Sequence, residues 1–335
     1  MMKMSTKKLM IITMIMSTIL VISSENWMSM WMGLEINMMS FIPLMEKSKD
    51  LMSSESKMMY FLIQSLGSIL FMFTIITEPL IMISENMIEI ISMNVISMSM
   101  MMKMGMAPMH AWFINIMNKL NWNNCLILMT WQKMAPMFIL SNTIMNQITL
   151  NILSMTSVII GAIGGINQTS IKKMMAFSSL NHLGWMTMCM KFDNEMWIKY
   201  LIIYSAMLTM ILKFLSKKSI MYMNQMNMNL KTQMEKMNLI IMMLSLGGLP
   251  PFIGFIPKWM VIQSMINTKS TLIILILMMS SMITLFYYMR MVIPMILNFS
   301  NINKWNIKSI NMNMMNKTSL IINTMLPLTM MINMF

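Results

Sequence analysis

The chain has 335 residues, of which 57% are hydrophobic and only 10% charged, a balance that excludes a soluble domain of this size. The formal net charge of +13 does not point to nucleic acid, because the lysines are scattered between apolar runs and build no basic face. Two cysteines, Cys125 and Cys189, each alone in an apolar setting, rule out a thiolate metal site or an iron–sulfur cluster built from this chain.

No glycine-rich loop joins a strand to a helix either. Gly161, Gly164 and Gly165 stand in an apolar run and read as close-packing positions. No cofactor and no metal is expected, and no redox chemistry by this chain alone. Methionine occurs 63 times and arginine once, as Arg290. With abundant Ile, Asn and Lys, that usage is what a mitochondrial code reading AUA as methionine would produce. Physically these methionines are flexible apolar filler.

Met1 to Ser23 carries lysines at 3, 7 and 8 ahead of an apolar run, in the manner of a signal peptide. No small-residue cleavage site follows, so a retained first span is expected. With about 17–25 apolar residues per crossing, the chain reads as eleven spans. They cover roughly 8–23, 27–45, 57–77, 87–116, 123–142, 148–166, 173–190, 196–214, 238–266, 270–295 and 318–335. The expected fold is an all-α polytopic membrane protein, a single domain over residues 1–335, with the lipid bilayer as its solvent. This count places seventeen lysines on the side of the N-terminus against Lys191 and Lys269 on the other. In a mitochondrion the positive side is the matrix, and the C-terminus then faces the intermembrane space.

The fourth and ninth spans are too long for one straight crossing, and both hold helix breakers. Around Ser245–Met260, SLGGLPPFIGFIPKWM, prolines 250, 251 and 257 should free the carbonyls of Leu246, Gly247 and Ile253, with Lys258 at the break. Such a span is either part of an ion path or a kinked packing helix whose lysine reaches the surface. In MMKMGMAPMHAWF, Lys103 precedes Gly105 and Pro108; in TWQKMAPMF, Lys133 precedes Pro136, which should free the carbonyl of Gln132. Five of the nine prolines thus fall beside three deep lysines. The two broken spans, about 87–116 and 238–266, are five crossings apart and run oppositely, as an inverted-topology repeat requires.

Among the acidic residues Glu35, in WMGLEIN, alone falls at mid-span. A charge near the bilayer centre costs at least about 2.5–3.5 kcal/mol, so these groups need partners or a hydrated interior. Lysine can give up its proton when buried and regain it beside a carboxylate, which arginine cannot. Glu35 and Lys103 are therefore expected to form an ion pair that controls the Lys103 proton. His182, in FSSLNHLGWM, is either a relay residue or a hydrogen-bonded packing residue. His110 reads as structural, and Lys199 and Arg290 as snorkelling from span ends.

The stretches WMGLEIN, KMGMAPMHAWF, LMTWQKMAP, GAIGGINQTSIKKMMAFSSLNHLGWM and SLGGLPPFIGFIPKW resemble, in this order, the antiporter-like proton-translocating subunits of respiratory NADH:ubiquinone oxidoreductase (complex I), and within them the chain 2 type of animal mitochondria. The eleven spans are also similar to the animal form, which lacks three N-terminal helices of bacterial members. The resemblance implies that Glu35 and Lys103 are the ion pair, Lys133 the bridging lysine, His182 a residue of a hydrated central axis, and Lys258 the lysine of the second broken helix. It implies a mitochondrial inner-membrane location and proton transfer from matrix to intermembrane space, with electrons and quinone handled by other subunits. The implied partners are other membrane-arm subunits of complex I, with chains 4 and 4L on either side, and accessory subunits. A stand-alone cation/proton antiporter and a purely structural membrane subunit are the competing readings. The stretch Ser216–Lys236 and everything after Arg290 carry no recognisable motif.

Overall fold

The computed structural model describes residues 4–46, 51–81, 87–143, 147–192, 195–230, 233–267, 270–297 and 323. The expected eleventh span, 318–335, lies outside them apart from Asn323. Among the described residues the fold is all-helical, with a lone antiparallel bridge between Ser170 and Tyr222. Five helical stretches are long and apolar enough to cross a membrane: Ser5–Ser23, Leu51–Thr77, Thr149–Ile166, Met196–Lys217 and Thr271–Leu297. Their outward faces are apolar, as with Ile12, Leu66, Ile69, Phe73, Ile202, Met279 and Phe286, the arrangement lipid favours and water does not.

The chain divides into two compact units, residues 1–152 and 153–335. The first contains α1 (Met4–Ser23), α2 (Trp27–Leu44), α3 (Leu51–Ile81), α4 (Met87–Met104), α5 (Ala111–Lys119), α6 (Trp122–Met129) and α7 (Trp131–Asn142). Helices α1 and α2 pack along one another, and a β-carbon on Gly33 would come within 2.5 Å of the Val21 side chain. The expected span 123–142 is two helices, α6 and α7, meeting at Thr130. The Leu126 carbonyl accepts both the Thr130 amide, at 3.0 Å, and its hydroxyl, at 2.8 Å. A hydroxyl bonded back in this way bends a helix, here just ahead of Lys133.

The second unit holds most of α8 (Gln147–Ile166), then α9 (Ile171–Cys189), α10 (Met196–Lys217), α11 (Met223–Asn229), α12 (Gln233–Gly247), α13 (Phe255–Asn267) and α14 (Thr271–Leu297). Every residue of α9 except Lys173 is buried, so α9 is the core helix of this unit. The α8 glycines let it close on its neighbours, as expected from sequence. A β-carbon on Gly161 would lie 2.8 Å from the Phe177 carbonyl, one on Gly164 would overlap the Phe177 ring, and one on Gly165 would stand 2.7 Å from the Tyr287 ring. The short α11 lies within the stretch where sequence offered no motif. Its N-terminus is held by Gln225, whose Oε1 accepts the Met221 and Tyr222 amides at 2.7 and 3.2 Å.

Residues of the connecting segments meet within each unit. Lys57 pairs with Glu46 at 3.7 Å and Lys119 with Glu55 in the first. In the second, the Ile171 amide bonds the Met221 carbonyl at 3.0 Å, and Lys218 pairs with Glu235 at 2.6 Å.

Candidate functional site

Helix α4 ends on a Schellman motif. Gly105, at φ 70°, donates to the Met102 carbonyl at 3.3 Å, and Met106 reaches back to Met101 at 3.1 Å. Glycine is suited to this left-handed turn. The six residues from 105 to 110 are non-helical before α5 begins at Ala111. Lys103 stands in the last turn of α4, where the helix carbonyls favour a cation. Its own backbone carbonyl, orphaned by the break, accepts the Gln64 side-chain amide from α3 at 2.9 Å. Farther along the same face of α3, a β-carbon on Gly67 would stand 3.0 Å from the Lys103 stem, so the pair at 64 and 67 forms a saddle for this lysine.

Lys103 and Lys133 line one small cavity together with Tyr60, Gln64, Met104, Trp112, Phe113, Leu128 and Gln132. Its volume, about 10 Å³, is the room one water needs. Both lysines are buried, Lys133 at 1% exposure. The Lys133 ammonium stands 5.4 Å from the Phe113 ring centre, within cation–π range. Gln132 is held from two sides: the Tyr60 hydroxyl donates to its Oε1 at 3.3 Å, and its amide donates to Asn37 Oδ1 at 3.0 Å. Glu35 is half-buried on α2, and among the described residues no salt bridge joins it to Lys103.

In the second unit α12 ends on the same motif. Gly248, at φ 78°, donates to Ser245 at 3.0 Å, and Leu249 reaches back to Leu244 at 3.4 Å. Residues 248–254 are non-helical before α13. Of the three carbonyls expected to be freed by proline, that of Gly247 accepts the Lys258 ammonium at 2.8 Å. The expectation for Ile253 is corrected. Pro257 sits in the first turn of α13, where no intrahelical amide is required, and the Ile253 carbonyl accepts the Ile256 amide at 3.0 Å. Lys258 also stands 5.9 Å from the Trp185 ring centre.

Ser178, His182 and Trp185 follow one another on α9 at helical spacing and so share a face. His182 is buried, and its Nδ1 lies 2.9 Å from the Tyr200 hydroxyl on α10; its ring lies 4.6 Å from that of Tyr204. Tyr287 and Tyr288 pack edge to face at 4.8 Å. His182 thus bonds a tyrosine on a neighbouring helix. Arg290 does not snorkel freely: it donates to the Gln168 carbonyl, beyond the end of α8, at 2.7 Å. His110 precedes α5 with its Nδ1 3.0 Å from the Pro108 carbonyl.

The structure therefore brings Lys103 and Lys133 to one cavity in the first unit, and in the second sets Lys258 against Trp185, on the α9 face that also carries His182. Sequence reasoning missed Asn37, Tyr60, Gln64, Gln132 and the tyrosines at 200, 204, 287 and 288. The spacing of Tyr60, Gln64 and Gly67 in an apolar span was a readable signal, because three polar or small positions on one helical face mark a face turned inward.

An all-helical fold with apolar outward faces and buried lysines defines the class of polytopic membrane proteins. A family model described as NADH:quinone oxidoreductase/Mrp antiporter, transmembrane, matches residues 24–284. Similar proteins called NADH-ubiquinone oxidoreductase chain 2 are found in Anopheles gambiae (40% identical, covering 96% of this chain and 95% of the relative), Locusta migratoria (41%; 92% and 90%) and Bos taurus (34%; 96% and 96%). The fold is also similar to a chain of respiratory complex I from Thermus thermophilus with bound aureothin, at TM-score 0.83 and 17% identity over 97% of this chain and 77% of that one. A chain of the Mrp complex from Dietzia sp. gives TM-score 0.74 and 11% identity over 84% and 59%. The chain belongs to the NADH:quinone oxidoreductase/Mrp antiporter family of membrane subunits, in its NADH-ubiquinone oxidoreductase chain 2 branch.

Proposed function

We propose that this chain is a proton-translocating membrane subunit of respiratory NADH:ubiquinone oxidoreductase in the mitochondrial inner membrane, moving protons from matrix to intermembrane space. The observation that carries it is the burial of Lys103 and Lys133 on one water-sized cavity ringed by hydrogen-bonding side chains. Two lysines in a membrane interior carry a burial cost, so their presence on one cavity points to a functional role. In this reading α4 with α5, and α12 with α13, are the two discontinuous spans of an eleven-span, single-domain inverted repeat. The recurrence of one Schellman motif at the two breaks supports that reading.

Within it, Glu35 holds the proton on Lys103 while the two are close and releases it as they separate. Lys133 receives the proton from the cavity, and His182 and Lys258 continue the path. The N-terminus lies in the matrix and the C-terminus in the intermembrane space. The neighbours are other membrane-arm subunits, chains 4 and 4L among them. Electron transfer belongs to other subunits.

The test is proton release per electron by the assembled complex in sealed vesicles. Lys103→Met in a fully assembled complex should abolish this chain's share, and a normal ratio would defeat the proposal. The family model, whose description names an Mrp antiporter, favours one second reading, a cation/proton antiporter that stands apart from the respiratory assembly. Isolation from mitochondria separates the two, since the subunit should appear only within a large NADH-oxidising assembly. Orientation is checked by protease access with the outer membrane opened: cleavage in 216–236 from the intermembrane side would reverse it.

A further inference from the structure

Tyr60 is 2% exposed and lies on α3, facing the cavity that holds Lys103 and Lys133. Its ring is fixed by Phe41 at 5.2 Å, edge on, and by Trp112 at 6.2 Å. Its hydroxyl has one proton, and Gln132 Oε1 takes it. The Gln132 amide is held on its other side, where it donates to Asn37 Oδ1 and lies 3.4 Å from Met14 Sδ, which turns its oxygen toward Tyr60. With the proton directed at Gln132, the lone pairs of the Tyr60 oxygen are the ones left for a donor in the cavity. The donors lining it are the ammonium groups of Lys103 and Lys133, the amides of Gln64 and Gln132, each already donating elsewhere, and the buried Trp112 indole N–H, which has no partner among the described residues.

We propose that Tyr60, pinned by Gln132 and through it by Asn37, is the orienting acceptor of the lysine cavity, holding the proton-bearing donor in line between Lys103 and Lys133. This rests on the proton-translocation reading above. Tyr60 is a positioning residue: no bond to it is made or broken, and the proton that moves belongs to the lysines or to a water between them. The lock ties α2, which carries Glu35, and α3 to α7, which carries Lys133.

The experiment uses the whole complex in sealed vesicles, comparing Tyr60→Phe, Gln132→Met, Phe71→Leu and Lys103→Met for proton release per electron and for the H₂O/D₂O ratio of proton release. Tyr60→Phe keeps both ring contacts and removes only the oxygen. It should slow proton release by about tenfold or more, the worth of one hydrogen bond to a charged group. It should also enlarge the isotope ratio in an assembled complex, and Gln132→Met should act in the same direction but less. Phe71, buried on the same helix against Trp27 and away from the cavity, is the packing control: Phe71→Leu should lower the yield of complex while leaving the isotope ratio unchanged. Wild-type values in Tyr60→Phe, or a Phe71→Leu that reproduces both changes, would overturn the inference. If Tyr60→Phe does not assemble, Gln132→Met decides by the same two readouts. Lys103→Met separates the levels: normal release there defeats the proton-path reading itself, whereas lost release there with a normal Tyr60→Phe defeats the role of Tyr60 alone.

Discussion

The breaks after Met104 and after Gly247 start alike and finish differently. Each half-helix ends on a glycine of positive φ with the same pair of reversed hydrogen bonds, so each leaves a carbonyl without a helical partner. At the first break that carbonyl belongs to Lys103 and is met by a neutral amide, Gln64, from another helix. At the second it belongs to Gly247 and is met by the ammonium of Lys258, which comes from the far side of the gap. Lys103 lies at its own helix C-terminus, where the backbone favours a cation, whereas Lys258 lies in the first turn of α13, where it does not. Reaching back to α12 brings the Lys258 charge to a C-terminal end as well. The same electrostatic solution is reached from opposite sides of a gap, and only at the second break is the lysine also the fastener.

That difference is broken most directly by removing each lysine. Lys103→Met and Lys258→Met should both abolish this chain's proton release. They should part on assembly, because Lys258→Met leaves the Gly247 carbonyl unpaired in a buried site, a loss of about 1–3 kcal/mol, whereas in Lys103→Met Gln64 still satisfies the backbone. Yield and thermal stability of the complex measure this. Equal stability of the two variants would show that the fastener role is wrong.

The glycines come next. A β-carbon on Gly248 would lie 2.8 Å from the Lys258 ammonium, and one on Gly105 would lie 2.7 Å from Phe113 Cβ. Both alanine variants carry about 1–2 kcal/mol of left-handed backbone strain. Gly248→Ala should in addition displace the Lys258 charge and depress proton release per electron, whereas Gly105→Ala should act mainly on assembly. A Gly248→Ala complex that assembles poorly but pumps at the normal ratio would place Lys258 off the path.

Glu35 sharpens the comparison further, since α2 carries it in the unit of the first lysine, whereas among the described residues no salt bridge reaches the second. Glu35→Gln should slow proton release several-fold while leaving assembly intact, with Glu35→Asp milder because it keeps the charge. An unchanged rate in Glu35→Gln would remove the carboxylate from the cycle.

Much of this was legible in the chain before any coordinates. Proline and glycine act locally, so the places where α4 and α12 stop could be read from Gly105, Pro108, Gly248, Pro250 and Pro251, and the burial cost of a charge singled out Lys103, Lys133 and Lys258. What could not be read was which group answers each orphan carbonyl. Gln64 is 39 residues from Lys103, and Tyr60 is 72 from Gln132. Such pairs depend on how helices pack, and an amide or a phenol in an apolar run carries no mark of its partner. Pro257 shows the opposite error: its local effect was overstated, because in a first turn there is no hydrogen bond for proline to remove.

The smallest effect expected is at Gly67, on the helix that guides Lys103. A β-carbon there would stand 3.0 Å from Lys103 Cγ and 3.3 Å from its Cε, tight contacts with a side chain that can shift by a few tenths of an ångström. Gly67 lies inside α3, where alanine also gains about 0.5–1 kcal/mol of helical preference. The two terms offset, so Gly67→Ala should leave assembly and thermal stability near wild type. The stem of Lys103 would nevertheless be pushed away from α3, and because transfer depends steeply on donor–acceptor geometry, proton release should fall by about two- to threefold. The equivalent crowding at the second break touches the ammonium itself and should cost more, so the ratio of the Gly248→Ala effect to the Gly67→Ala effect measures how much tighter the second lysine is held. A Gly67→Ala complex that loses more proton release than Gly248→Ala would reverse that order and make Lys103, not Lys258, the more rigidly placed of the two.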